Sequence, residues 1–253
     1  MPTTTIAHVP LLWEEPAQAA ERKLVIWLPG FTSSKADVQP YLQDLAAAGY
    51  VALSFDPVDH GERSRMAGDE PIDPSSGSFR ADVDGKLYRH FWSIMAETAA
   101  EAPAVVDWAV AELGVAPVVG MGGISMGGGI AVVAAGLDPR IAVVAAGIAE
   151  GDWTRIGAMY PLSAPNAYVQ ACFDRYNPLS NLERYQRCPA ITYQLGADDT
   201  MIPAGSAQRF AQALGETYAA CPEKLEIVLE PGVAHEFMPA MWRRSLDWFA
   251  RYL

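Results

Sequence analysis

The chain has 253 residues, long enough for one large domain or two small ones. It carries 51% hydrophobic and 19% charged residues, a composition able to bury a sizeable core. Thirty acidic against 18 basic residues leave a net charge of -12, which argues against nucleic acid as a partner, since that would call for a basic patch.

In chain order, Leu24 to Leu28 is a short apolar run ended by Pro29-Gly30 and reads as a buried strand. Asp37 to Ala48 has helical spacing (Val38, Tyr41, Leu42, Leu45), with Gly49 as its stop. Val51 to Phe55 is the next strand and ends at Asp56-Pro57. Residues 62–80 are rich in turn formers and read as a loop. A helix is expected from about 93 to 113, with Pro103 as a kink or break. Val118 to Gly122 reads as a strand, Gly127 to Leu137 as a helix and Ile141 to Ile148 as a further strand.

The stretch from Ala116 to Leu137 carries no charge over 22 residues, enough to span a bilayer. Its seven glycines and the serine turn at its centre favour a buried strand followed by a buried helix. No secretory leader is expected, because the first 20 residues hold no Lys or Arg and no sustained apolar run. Residues 150–182 interrupt the rhythm with Trp153, Tyr160, Tyr168, Phe173, Tyr176 and three prolines, and read as an inserted lid. Regularity returns with a strand at Ala190 to Leu195, a helix at Ala204 to Leu214, a strand at Leu225 to Leu229 and a closing helix at Ala240 to Tyr252. The alternation predicts an α/β fold across residues 1–253, a mostly parallel sheet with helices on both faces.

Gly123-Ile124-Ser125-Met126-Gly127 lies between the predicted strand and helix. A serine on such a turn stands clear of the sheet at a helix N-terminus, where a developing anion is favoured. Its hydroxyl needs a base and an acid to become a nucleophile. Of four histidines, His8 lies near the terminus, and His60 and His90 precede the serine, so His235 is the preferred base. Asp198 and Asp199 are both candidates for the acid.

These features, with Leu195-Gly196-Ala197-Asp198-Asp199-Thr200-Met201-Ile202-Pro203 and Gly232-Val233-Ala234-His235, resemble the α/β-hydrolases from Leu24 onward. Ser125, Asp199 and His235 are spaced 74 and 36 residues apart, in that family's order of nucleophile, acid and base. The family's spacing from the acid to a hydrophobic-Pro pair selects Asp199 over Asp198. Phe55 to Arg63 and Ile124 to Gly128 look like small bacterial esterases related to dienelactone hydrolases and prolyl-oligopeptidase catalytic domains. The resemblance implies a serine carboxylesterase; the cysteine pattern and the lack of an expected leader make a cytoplasmic location the expectation. The oxyanion donors of such an enzyme would be the N–H groups of Met126 and of Phe31, although Pro29-Gly30 stands where relatives often carry His-Gly.

No metal or cofactor is expected, because no ligand-spaced His/Cys/Asp cluster and no phosphate-loop lysine occurs. A small-molecule ester is the expected partner, without membrane; a homo-oligomer remains compatible. Thioesters, lactones and short peptides use the same constellation. A non-catalytic binding module on this fold is the alternative of a different class.

Around the site, Asp59 or His60 could line the pocket, Glu62-Arg63 could pair locally, and the segment from Asp56 to Arg63 could simply shape its loop. Phe79, Tyr88, Phe91 and Trp92 are either pocket lining or core. Arg63, Arg65, Arg80 and Arg89 could meet an anionic substrate, but basic residues scattered over an acidic surface are expected to be solvated. Cys172, Cys188 and Cys221 have no CxxC spacing and read as free thiols in a reducing compartment.

Overall fold

A computed structural model describes residues 1–18, 21–64 and 86–253; the side chains of Lys86 and Leu87 are not described. Eight strands form one sheet: β1 (Thr3–Ile6), β2 (Val9–Glu14), β3 (Leu24–Leu28), β4 (Val51–Phe55), β5 (Val119–Ile124), β6 (Ile141–Gly147), β7 (Ala190–Gly196) and β8 (Leu225–Glu230). Their spatial order is β1-β2-β4-β3-β5-β6-β7-β8, antiparallel at β1/β2 and β2/β4 and parallel elsewhere. Every residue of β3, β4 and β7 is buried, because parallel strands are covered on both faces.

The helices are α1 (Gln39–Ala47), α2 (Phe91–Leu113, preceded by a single helical turn at Lys86–Arg89), α3 (Met126–Leu137), α4 (Ala167–Tyr176), α5 (Gly205–Ala213) and α6 (Pro239–Tyr252). On one face, α1 and α6 pack Leu42, Leu45, Trp242, Trp248 and Phe249 against Val25 and Trp27 of β3. On the other, α2 and α3 pack Ala99, Val106, Ile130 and Val133 against Ile26, Met121 and Val144.

The uncharged stretch from Ala116 to Leu137 divides at Ser125 into buried β5 and buried α3. No helix among the described residues is long and apolar enough to cross a membrane. Helix α2 opens at Phe91, earlier than expected, and continues through Pro103. An internal proline costs about 3 kcal/mol. Ala99, Ala102, Val105, Val106 and Ala109 are all buried on either side of it, and this burial holds the helix together.

The antiparallel edge, β1 and β2, has no counterpart in the sequence reading. Its hairpin turns at Ala7 and His8, both at positive φ (43° and 68°). Such turns are ordinarily marked by Asn-Gly or Gly-Gly, and neither occurs here. Pro10 lies inside β2 and further weakens its strand signature.

Candidate active site

Ser125 follows β5 at φ 55° and ψ -116° and opens α3. That backbone conformation is costly for a residue with a β-carbon, and the surroundings enforce it. The Ser125 N–H donates to the Gly147 carbonyl of β6 at 2.7 Å, and its carbonyl accepts from Gly129 N–H at 3.1 Å. A β-carbon at Gly127 would sit 2.5 Å from the Leu28 and Pro29 carbonyl oxygens, so only glycine lets α3 approach the loop after β3 this closely.

His235 lies between β8 and α6, and its side chain is 20% exposed. Its Nε2 is 3.0 Å from Ser125 Oγ, and its Nδ1 is 2.7 Å from Asp199 Oδ2. A carboxylate only accepts, so Nδ1 carries the ring proton and Nε2 presents a lone pair to the serine hydroxyl. Gly196, at the end of β7, makes this meeting possible. A β-carbon there would fall 2.2 Å from the Ala234 carbonyl and 2.4 Å from that of Val233. The Asp198 N–H also donates to the Val233 carbonyl at 2.9 Å, binding the two loops together.

Asp199 is buried, while Asp198 is exposed. Asp199 Oδ1 accepts from the N–H groups of Met201 and Ile202, each at 2.8 Å, which leaves Oδ2 for the imidazole. The structure therefore brings Ser125, His235 and Asp199 into one hydrogen-bonded line and leaves Asp198 outside it.

Met126 is the first residue of α3, and its N–H has no partner within the helix. Gly30 places the loop after β3 beside the serine: a β-carbon there would lie 3.8 Å from Ser125 Cβ. Phe31 follows it directly. Among the described residues, neither the Phe31 nor the Met126 N–H donates to a protein acceptor.

The Phe31 ring packs against His60 (5.4 Å between centroids), Tyr88 (5.9 Å) and Phe91 (5.4 Å). Tyr88, Phe91 and Trp92 are all buried, and Trp92 Nε1–H donates to the Trp153 carbonyl at 3.2 Å. Phe79, Arg65 and Arg80 lie outside the described residues. His60 Nδ1 donates to the Val58 carbonyl at 2.8 Å. Burial lowers the His60 pKa below its ordinary value, which keeps the ring neutral at neutral pH.

Two expectations for this neighbourhood fail. Glu62 and Arg63 do not pair with each other: Glu62 faces Lys35, and Arg63 grips Glu101 through two bonds of 2.7 Å. Arg63 is not solvated either, its side chain being only 12% exposed. The partners Lys35 and Glu101 are 27 and 38 residues away in sequence, and local spacing carries no trace of them.

Residues 150–182 begin inside the core. Glu150 and Arg155 are both buried and joined by a 2.6 Å bond, with the guanidinium 4.4 Å from the Phe91 ring centroid. Beyond them, Ile156 and Met159 are exposed, and the Met159 N–H donates to the Thr200 carbonyl at 2.7 Å, next to the acid. Removing one member of a buried pair strands the other as an uncompensated charge. Arg155→Met should therefore lower the unfolding free energy by about 3–5 kcal/mol, and Glu150→Gln/Arg155→Met should recover most of the loss. Urea unfolding of both variants checks this.

No family model matches the chain. It is 25% identical to esterase YjfP of Escherichia coli over 265 aligned positions, which cover 98% of this chain and 97% of that protein. Among solved structures it resembles TT1662 of Thermus thermophilus (TM-score 0.75, 24% identity, 99% and 96% coverage). It also resembles a cold-adapted esterase from an Arctic intertidal metagenomic library (TM-score 0.61, 20% identity, 99% and 92% coverage). The chain has the α/β-hydrolase fold and is similar, along nearly its whole length, to proteins named as esterases.

Proposed function

We propose that the protein is a serine carboxylesterase acting through Ser125, His235 and Asp199. The observation that carries this reading is the continuous line Ser125 Oγ–His235 Nε2–His235 Nδ1–Asp199 Oδ2, at 3.0 and 2.7 Å, on a strained strand-to-helix turn. Ser125 Oγ attacks the ester carbonyl carbon as His235 Nε2 takes the hydroxyl proton. The carbonyl oxygen becomes an oxyanion held by the N–H groups of Met126 and Phe31. As the tetrahedral centre collapses, the ester C–O bond breaks and His235 gives its proton to the departing alcohol. Water, deprotonated by His235, then attacks the acyl-Ser125 carbonyl; the bond between the acyl carbon and Ser125 Oγ breaks, His235 returns the proton to Oγ, and the acid leaves. Asp199 holds the imidazole in the required tautomer and stabilises the imidazolium.

We also read residues 150–182 as a lid over a small-molecule acyl pocket within one domain spanning the chain. Exposed apolar Ile156 and Met159, with the Met159 backbone tied to Thr200 beside the acid, support this reading. The three free cysteines support a reducing, cytoplasmic setting.

Hydrolysis of p-nitrophenyl esters from acetate to palmitate tests the reading, with fluorophosphonate labelling alongside. Turnover of short-chain esters and labelling of Ser125 are expected. Labelling without turnover of any ester in folded protein overturns the ester assignment in favour of a thioester, lactone or peptide. Neither labelling nor turnover overturns catalysis and leaves a binding module.

A further inference from the structure

Asp56 directly follows β4, and its carboxylate is completely buried. Its Oδ1 accepts from the Lys35 backbone N–H at 2.8 Å, and its Oδ2 accepts from Lys35 Nζ at 2.7 Å and from the Glu62 N–H at 3.0 Å. Lys35 Nζ also bonds the Glu62 carboxylate. Burial of Lys35 opposes its charge, but these two carboxylates outweigh it and hold the pKa above its ordinary value. Gly61 is shaped to this cluster, since a β-carbon there would lie 2.3 Å from the Asp56 carboxylate.

Three stretches of backbone thus meet at one carboxylate: the end of β4, the turn at Gly61–Arg63 and the loop after β3. That loop contains no regular element between Leu28 and Gln39, and Thr32 sits at φ 68°. Its internal ties are short turns, Ser33 N–H to the Gly30 carbonyl at 3.2 Å and Ser34 N–H to Asp37 Oδ2 at 2.7 Å. At its other end, Phe31 rests on His60, which belongs to the same segment as Asp56 and Glu62. Residues 56–62 therefore brace the loop at two points, Phe31 and Lys35.

We infer that the Lys35–Asp56–Glu62 clasp positions the Phe31 N–H toward the oxyanion, which makes Lys35 and Asp56 positioning residues for acyl transfer. The inference rests on the proposed serine-hydrolase reading of Ser125. A buried ion pair is weak support for stability, because desolvation offsets much of its attraction. Its directional bonds instead fix where the loop stands. Loss of one oxyanion donor costs a hundredfold to a thousandfold in kcat in other serine hydrolases, and a donor displaced without being lost should cost about tenfold to a hundredfold.

Lys35→Met keeps the aliphatic stem and the backbone N–H while removing the ammonium. Its kcat on p-nitrophenyl acetate should fall about tenfold to a hundredfold with KM within about twofold. Affinity for a trifluoromethyl ketone, which forms a tetrahedral adduct with the serine, should fall in parallel with kcat/KM. Glu62→Gln, whose parent side chain is 67% exposed, should fold regardless and lose about twofold to fivefold in kcat. Arg140→Met, which breaks the pairs with Asp138 and Asp107 at the start of β6, away from the strand end that carries Ser125, controls for lost stability and should keep wild-type kcat.

A merely structural clasp would lower Tm in both clasp variants and leave kcat per folded site and ketone affinity unchanged; that result overturns the inference. Fluorophosphonate labelling rates separate it from the esterase reading. If wild type labels but cleaves no ester, slower labelling of Lys35→Met upholds the clasp while the ester assignment falls. If wild type does not label, both fall.

Discussion

Ser125→Ala should lower kcat on short-chain esters by roughly a hundred-thousand-fold to a million-fold while the protein stays folded. The alanine removes only the oxygen that His235 Nε2 approaches at 3.0 Å. It retains the β-carbon, so the strain at φ 55° is unchanged and Tm should move little. His235→Ala should fall to a similar floor, and the double variant should fall no further, because the two residues act on one proton. What remains above water would come from the Met126 and Phe31 N–H groups and from substrate binding. Steady-state rates normalised to folded protein, with circular dichroism as the folding check, measure this. Substantial ester turnover in Ser125→Ala would place the chemistry elsewhere.

The parallel core was legible because buried strands are short apolar runs, and Leu24–Leu28, Val51–Phe55 and Ala190–Gly196 are such runs between turn formers. The serine turn was legible for a related reason: glycines at 123 and 127 bracket the serine where a strand passes directly into a helix, positions at which a β-carbon would clash with Leu28 and the facing backbone. The edge hairpin was not, because Ala7 and His8 adopt left-handed backbone without the residues that usually signal it.

Around the candidate site, the sequence carried the chemistry but not the bracing. Asp56, Glu62 and Arg63 sit together in the chain, yet their charges are satisfied by Lys35 and Glu101, brought near only by sheet order and the descent of α2. Glu150 and Arg155 show the converse, since both fall in a stretch whose aromatics and prolines mask two buried charges. Long-range pairs such as Lys35–Asp56 and Arg63–Glu101 have no period and no motif, so they emerge only when the fold is assembled.

Two adjacent aspartates with opposite fates give the second large effect. Asp199→Asn should reduce kcat by about ten-thousand-fold, whereas Asp198→Asn should change it by less than about twofold. In Asp199 one oxygen already accepts from the Met201 and Ile202 N–H groups at 2.8 Å. An asparagine oxygen would keep those two donors, because its NH2 group cannot accept them. The NH2 must then face His235 Nδ1, where Asp199 Oδ2 accepts at 2.7 Å. Nδ1 becomes the acceptor, the ring proton moves to Nε2, and the imidazole can no longer take the proton of Ser125. The loop keeps its backbone bonds, so Tm should fall far less than activity. Asp198 is exposed and stands outside this line, and its carboxylate has no proton-transfer role to lose. Parallel kcat and thermal-unfolding measurements on the two variants decide the assignment. A collapse in Asp198→Asn with Asp199→Asn near wild type would reverse it.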